Sequence, residues 1–213
     1  MKIAKPQLSA LEEDISLEEA LAMCVPNDDA LSGYAFASEA LVSVNLDKID
    51  ISNCRFTGCR FTDATFERAY IRNCVFERCD FASARFTDAT IHKIEFTDCR
   101  FTGTQMSGAA FADVEFKSCN ADYINFSEAG FKACSFTDSS LKNAVFAGIK
   151  QCGFSFDDCN LRTAEWQNTK LKGISFISCD IEGDMFSPEM LTGAIVTPLQ
   201  ACELARLLGV IIK

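Results

Sequence analysis

The chain has 213 residues, 48% of them hydrophobic, and a net charge of −10. That balance argues against a general nucleic-acid binder, which needs Lys and Arg to neutralise phosphates, and favours a basic partner or simple solubility. Nineteen Phe against three Tyr and one Trp indicate one side chain used repeatedly for packing, not a surface on which bases stack.

Residues 1–30 read as a helical cap segment. Ser9 with Glu12, and Ser16 with Glu19, have the spacing of capping boxes, and Leu17, Leu21 and Met23 come next. "CVPNDDALSG" then breaks the helix. Such a segment is expected to cover the first unit of the region beyond residue 30, with a partner-binding arm as the alternative. The same residues are acidic and lack the apolar centre of a signal peptide. No apolar run in the chain approaches the ~18 residues of a membrane span. A cytoplasmic protein is therefore expected.

From residue 31 to residue 196 a five-residue register holds. Positions whose numbers end in 1 or 6, from Leu31 to Val196, are bulky and apolar except at Ala121 and Gln151. Within residues 54–81 a small residue, Cys or Ala, sits two before each centre, as in "CRFTGCRFTDATFERAY". Neither a helix, with period 3.6, nor a lone strand, with period 2, has this spacing. A second period of twenty overlies the first: Phe36, Phe56, Phe76, Phe96, Phe116, Phe136, Phe156 and Phe176 form one ladder. Cys59, Cys79, Cys99, Cys119, Cys159 and Cys179 form another, with Ser139 in the gap. Four pentapeptides therefore complete a turn, and like residues stack on like. The predicted object is an all-β, four-sided solenoid of about eight coils, roughly 4.8 Å apart, with centres and small residues pointing inward.

Two places break the register. Gln151 is a polar centre flanked by bulky Ile149 and Phe154 at small positions, which predicts a local bulge. Ala121 is a small centre with Ile124 at the next small position, a compensating exchange of volume.

Residues 197–213 lie beyond the last coil. Thr197 as N-cap, Pro198 at the first helical position and Gly209 beyond the last turn predict a helix over 198–208. Leu199, Leu204, Leu207 and Leu208, then Val210, Ile211 and Ile212, give it apolar surface that either covers the last coil or pairs with a second copy.

Catalytic signals are missing. The single histidine, His92, adjoins a centre and should face solvent, so no Ser–His–Asp or Cys–His arrangement can be built on it. Cysteine spacings of five and twenty are not those of a zinc site. Most of the twelve cysteines read as reduced core thiols, with disulfides between stacked coils as the alternative. No enzyme, cofactor or metal is expected.

"ADYINFSEAGF", "DDCNLRTAEW" and "FASARFTDAT" resemble the A(D/N)LXX consensus of the pentapeptide-repeat proteins. The resemblance covers residues 31–196 and implies the right-handed quadrilateral β-helix. In length, and in "CDIEGDMFSPEMLTGAIV" followed by "LQACELARLLGV", the chain is most similar to the Qnr-like fluoroquinolone-resistance branch. That branch protects DNA gyrase and topoisomerase IV, forms rods dimerised through C-terminal ends, and includes mimics of DNA. The resemblance implies a type II topoisomerase as partner, reduced fluoroquinolone susceptibility, and dimerisation through Leu199, Leu204, Leu207, Leu208, Val210 and Ile211. The loops that many of that branch carry are missing from this register. A repeat scaffold for some other protein is the alternative.

Charge divides by side. The side centred on Phe36 and Phe56 carries Glu77, Glu95, Asp98, Glu115, Asp138, Asp157 and Asp158 against Arg55, Arg78 and Lys117. The side centred on Ile51 and Ile71 carries Arg72, Lys93, Lys132, Lys150, Lys170 and Lys172 against Asp50, Asp113 and Glu189. The acidic side is the expected partner-binding surface, and its carboxylates are expected to stand in water.

Overall fold

In a computed structural model, which describes residues 2–27 and 29–211, the chain is a right-handed β-solenoid of about eight coils with two short helices. Pairing is parallel, and from Leu31 onward every pair of partners in the coils is twenty residues apart. Leu31 pairs with Ile51 at the first coils, Phe136 with Phe156 in the middle, and Ser175 with Ile195 at the last.

The four sides are not equivalent. The acidic and basic sides are neighbours, and in each central coil they share one eight-residue strand. These strands are Tyr70–Glu77, Thr90–Thr97, Ala110–Lys117, Gly130–Thr137 and Lys150–Asp157. On the other two sides the pairing shrinks to single bridges such as Arg60 to Asp80 and Thr65 to Arg85, except for the short pair Glu165–Trp166 with Met185–Phe186 in the last coils. There the corners are hydrogen-bonded turns: Ala64 N–H donates to Phe61 O at 3.1 Å, and Ala69 N–H to Phe66 O at 3.1 Å. The third residue of such a turn is left-handed, so the second position after the centre has positive φ. Asp63 (57°), Asp88 (58°) and Gly103 (70°) occupy it. Asp, Asn and Gly recur there because they tolerate that region best.

The centres form apolar columns. Rings of Phe56 and Phe76 stack at 4.8 Å, Phe96 and Phe116 at 4.9 Å, and Phe116 and Phe136 at 4.3 Å. The small positions do more than save space. The thiols of Cys79 and Cys99 donate to the carbonyls of Phe56 and Phe76 in the coil before, at 3.5 and 3.4 Å. At Ser139 the hydroxyl accepts from Cys119 N–H and donates to Thr137 O. On this ladder the residue is small and also carries a donor for a buried carbonyl. All twelve cysteines are free, with only Cys152 and Cys202 exposed. Burial pushes the Cys134 thiol up to about 11.

No bulge forms at Gln151. Phe131 pairs with Gln151 and Cys134 with Phe154 without slip. The missing centre is supplied by Phe154, whose ring stacks on Phe131 at 4.2 Å. Gln151 turns outward, its amide 3.4 and 3.3 Å from the carbonyls of Lys170 and Lys172. Apolar volume moves three residues along the chain while the backbone keeps its register. At the other irregularity, Ala121 and Ile124 are both fully buried.

Asp184 occupies a small position inside the last coils. Its Oδ1 accepts from Ala164 N–H at 3.0 Å and its Oδ2 from Trp166 Nε1 at 3.1 Å. Burial pushes the carboxyl up to about 8, against the opposing pull of these two donors. The unfolded value is ~3.9, so between the two values the folded chain holds the extra proton and stability falls as pH rises. Melting temperatures of wild type and Asp184→Asn should therefore differ most at pH 5, with wild type the more stable. The gap should narrow steadily towards pH 9. A gap independent of pH contradicts this assignment.

Helix α1, Leu17–Cys24, begins at Ser16, whose side chain and that of Glu19 form the reciprocal capping box. Leu17, Ala20 and Cys24 are buried in the same core as the first coil. Ser9 and Glu12 cap no helix. Residues 2–13 form no helix and, before a bend at Asp14 and Ile15, run along the rod: Glu12 N–H donates to Gly33 O and Ala35 N–H donates to Glu12 O. Helix α2, Pro198–Ala205, has its own capping box, Thr197 with Gln200. A 3-10 turn, Arg206–Leu208, and left-handed Gly209 end it. Among the described residues no helix is long and apolar enough to cross a membrane.

Candidate protein-binding surface

The acidic side presents three outward rows. One contains Arg55, Val75, Glu95 and Glu115, and the next contains Glu77, Thr97, Lys117 and Asp157. The third lies at left-handed corners and contains Arg78, Asp98, Ser118, Asp138 and Asp158. These rows separate the seven carboxylates into two groups.

Asp98, Asp138, Asp157 and Asp158 are exposed. Among the described residues none of them forms an ion pair within 4.0 Å. The only side chain held by one of them is the Ser178 hydroxyl, which donates to Asp157 at 2.9 Å. The other three are neutralised. Glu77 lies 3.2 Å from the Arg55 guanidinium. Lys117 Nζ stands 2.9 Å from both Glu95 Oε1 and Glu115 Oε2. A second cation comes from the N-terminal segment: Lys5 Nζ lies 4.0 Å from Glu95 and 3.5 Å from Glu115. The Glu115 side chain is only 16% exposed. Burial alone raises its carboxyl, but Lys117 and Lys5 outweigh burial and hold it below its ordinary range. Glu95 and Glu115 are thus not in open water. The sequence could not show this, because Lys5 is remote along the chain and its segment reads as helical.

The extended segment runs along the corner between the acidic and basic sides. Ser9 N–H donates to Asn53 Oδ1 at 2.9 Å, Gln7 N–H to Asn73 Oδ1 at 2.7 Å, and Ala4 N–H to Asp113 Oδ1 at 2.9 Å. Asn73 Nδ2 donates back to Gln7 O at 2.9 Å, and Asn53 Nδ2 to Ser9 Oγ at 2.6 Å. His92 lies on the basic side of this corner, partly exposed, with Nε2 3.7 Å from Asp113 Oδ2.

At the other end of the rod, Leu204 packs against the last coil. Leu199 (75% exposed), Leu208 (69%) and Ile211 (85%) face outward, with Leu207 and Val210 about half exposed. Ile177 and Ile195, on the last coils of the acidic side, are exposed as well. Ile212 lies outside the described residues.

Among the described residues no group of His, Cys, Asp and Glu could hold a metal ion.

The pentapeptide repeat region family matches residues 49–126 and 69–146. No curated protein matches the chain. Among solved structures the chain is similar to trypsin-treated QnrB1, a plasmid-mediated fluoroquinolone resistance protein, with TM-score 0.55 and 20% identity over 85% of this chain and 91% of that one. Full-length QnrB1 is matched with TM-score 0.53 and 20% identity, over 84% and 92%. At such identity the likeness shows the shared fold. Residues 49–146 are thus matched as a pentapeptide repeat region, and the twenty-residue register carries the same repeat from Leu31 to Ile195.

Proposed function

We propose that this chain is a non-enzymatic, protein-binding rod whose acidic side engages the basic, DNA-binding groove of a type II topoisomerase and lowers fluoroquinolone susceptibility. The observation that carries this reading is the exposed group Asp98, Asp138, Asp157 and Asp158. Three of these lie in one row, at coil steps of two and one. At ~4.8 Å per coil, the row spans about 14 Å on a rigid support. A groove that binds DNA expects regularly spaced negative charge, and charge complementarity of this kind directs encounter. QnrB1, which has the same fold, is a fluoroquinolone resistance protein. Pairing of two copies through the outward residues of α2 and the tail doubles the length of the acidic surface.

A second reading, a rod for another protein partner, is favoured by the neutralisation of Glu77, Glu95 and Glu115, since DNA itself carries no cations. A gyrase supercoiling assay with and without ciprofloxacin separates the two. Rescue or inhibition by the purified protein supports the first. No effect over a wide concentration range removes it.

A further inference from the structure

The corner between the acidic and basic sides receives an extended chain through its backbone. From Ser9 at Asn53 to Ala4 at Asp113, five residues cover three coil steps, which is about 14 Å at ~4.8 Å per coil. The resulting rise of roughly 2.9 Å per residue is near the ~3.1 Å of a polyproline-II strand, and Pro6 sits mid-way. Asn73 accepts the N–H and donates to the C=O of the same residue, Gln7, as a neighbouring strand does. Backbone recognition of this kind accepts many sequences, and side-chain contacts then select among them. Two such contacts are present: Lys5 between Glu95 and Glu115, and the Ser9 hydroxyl on Asn53.

The occupant is lightly held. Ala4, Lys5, Gln7 and Ser9 are exposed, and Ile3, Pro6 and Leu8 are only half-buried. A segment with few buried contacts opens at low free-energy cost.

We propose that the corner row of Asn53, Asn73 and Asp113, with Glu95 and Glu115 beside it, is a docking site for an extended, basic segment of a partner protein, which exchanges with the chain's own residues 2–12. The preferred guest has a Lys or Arg at the place of Lys5 and a hydroxyl residue four positions later. The site is distinct from the exposed aspartates and stands whichever partner they meet.

The test keeps the full chain. Gln7→Pro with Ser9→Pro removes the two N–H donors that Asn73 and Asn53 receive, which should release the arm, read as loss of hydrogen-exchange protection at the Ala4 amide. A fluorescent peptide KIAKPQLSALE, the sequence of residues 2–12, should then bind this variant. It should bind wild type about ten-fold or more weakly, because the chain's own arm competes there. Replacing the peptide's Ile and Leu residues by Thr should change little, whereas Lys5→Glu in the peptide should abolish binding. Adding Asn53→Gly and Asn73→Gly to the chain should also abolish it. Glycine keeps the corner geometry, since both asparagines have positive φ (50° and 51°). Persistent protection of Ala4 in the proline variant overturns the proposal. So does a peptide that binds no better to the released chain than to wild type or to the glycine variant. Uptake only of a second copy's arm, seen as a concentration-dependent rise in mass without peptide binding, also overturns it.

Discussion

Phe116→Asp should unfold the protein, whereas Thr97→Asp should leave it folded. Phe116 is fully buried, with its ring 4.9 Å from Phe96 and 4.3 Å from Phe136. Loss of such a ring costs about 3–5 kcal/mol. Placing a charge in the column without a partner adds a penalty of several kcal/mol more unless it protonates. Domains of this size have only about 5–15 kcal/mol in hand. Thr97 lies between Glu77 and Lys117 in an outward row, so a carboxylate there reaches water and a nearby ammonium. Circular dichroism and thermal melting of both variants check this. Equal tolerance at the two positions contradicts the inward–outward assignment on which every surface statement depends.

The second large effect is on assembly. Light scattering should give a mass of about twice 23.4 kDa for the wild type at micromolar concentration. Leu199→Asp with Leu208→Asp should give the single-chain mass with the circular-dichroism spectrum of the folded chain retained. Both leucines are more than two-thirds exposed, so their replacement should spare the fold and disrupt an apolar interface. Leu204 is a poor choice for this purpose despite its helical spacing, because it packs on the last coil and its loss should uncap the rod. A wild-type monomer contradicts pairing through α2.

The coil is legible in the sequence because each of its determinants is periodic. Phe at every twentieth position, from Phe36 to Phe176, can stack only if the chain returns to the same place every four pentapeptides. The capping boxes at Ser16 and Thr197 are equally local. The illegible features are either cooperative in three dimensions or ambiguous in one. Gln151 reads as a defect, and only the structure shows Phe154 lying in the vacated space on Phe131. Ser9 and Glu12 have the spacing of a capping box, but the hydrogen bonds offered by Asn53 and Gly33 win over a helix start that has little apolar surface to bury. One signal of this docking is present in the sequence. Asn53 and Asn73 lie on one ladder with Asp113, so polar hydrogen-bonding side chains recur at one corner of successive coils. The acidic side is legible as composition but not as free charge, since Lys5 and Lys117 neutralise two of its seven carboxylates together.

Binding to purified gyrase by two variants with opposite charge changes tests the role of the acidic side most directly. One variant carries Asp98→Asn, Asp138→Asn, Asp157→Asn and Asp158→Asn. Asn keeps the left-handed corners at 98, 138 and 158 comfortable (φ 54°, 51° and 48°), so the fold is retained. The other carries Lys132→Gln, Lys150→Gln, Lys170→Gln and Lys172→Gln on the neighbouring basic side. The first should weaken binding by about ten-fold or more and flatten its dependence on salt, as loss of exposed complementary charge does. The second should leave binding unchanged or tighten it. Equal effects of the two sets, or no effect of either, would contradict the claim that the acidic side is the surface that meets the partner.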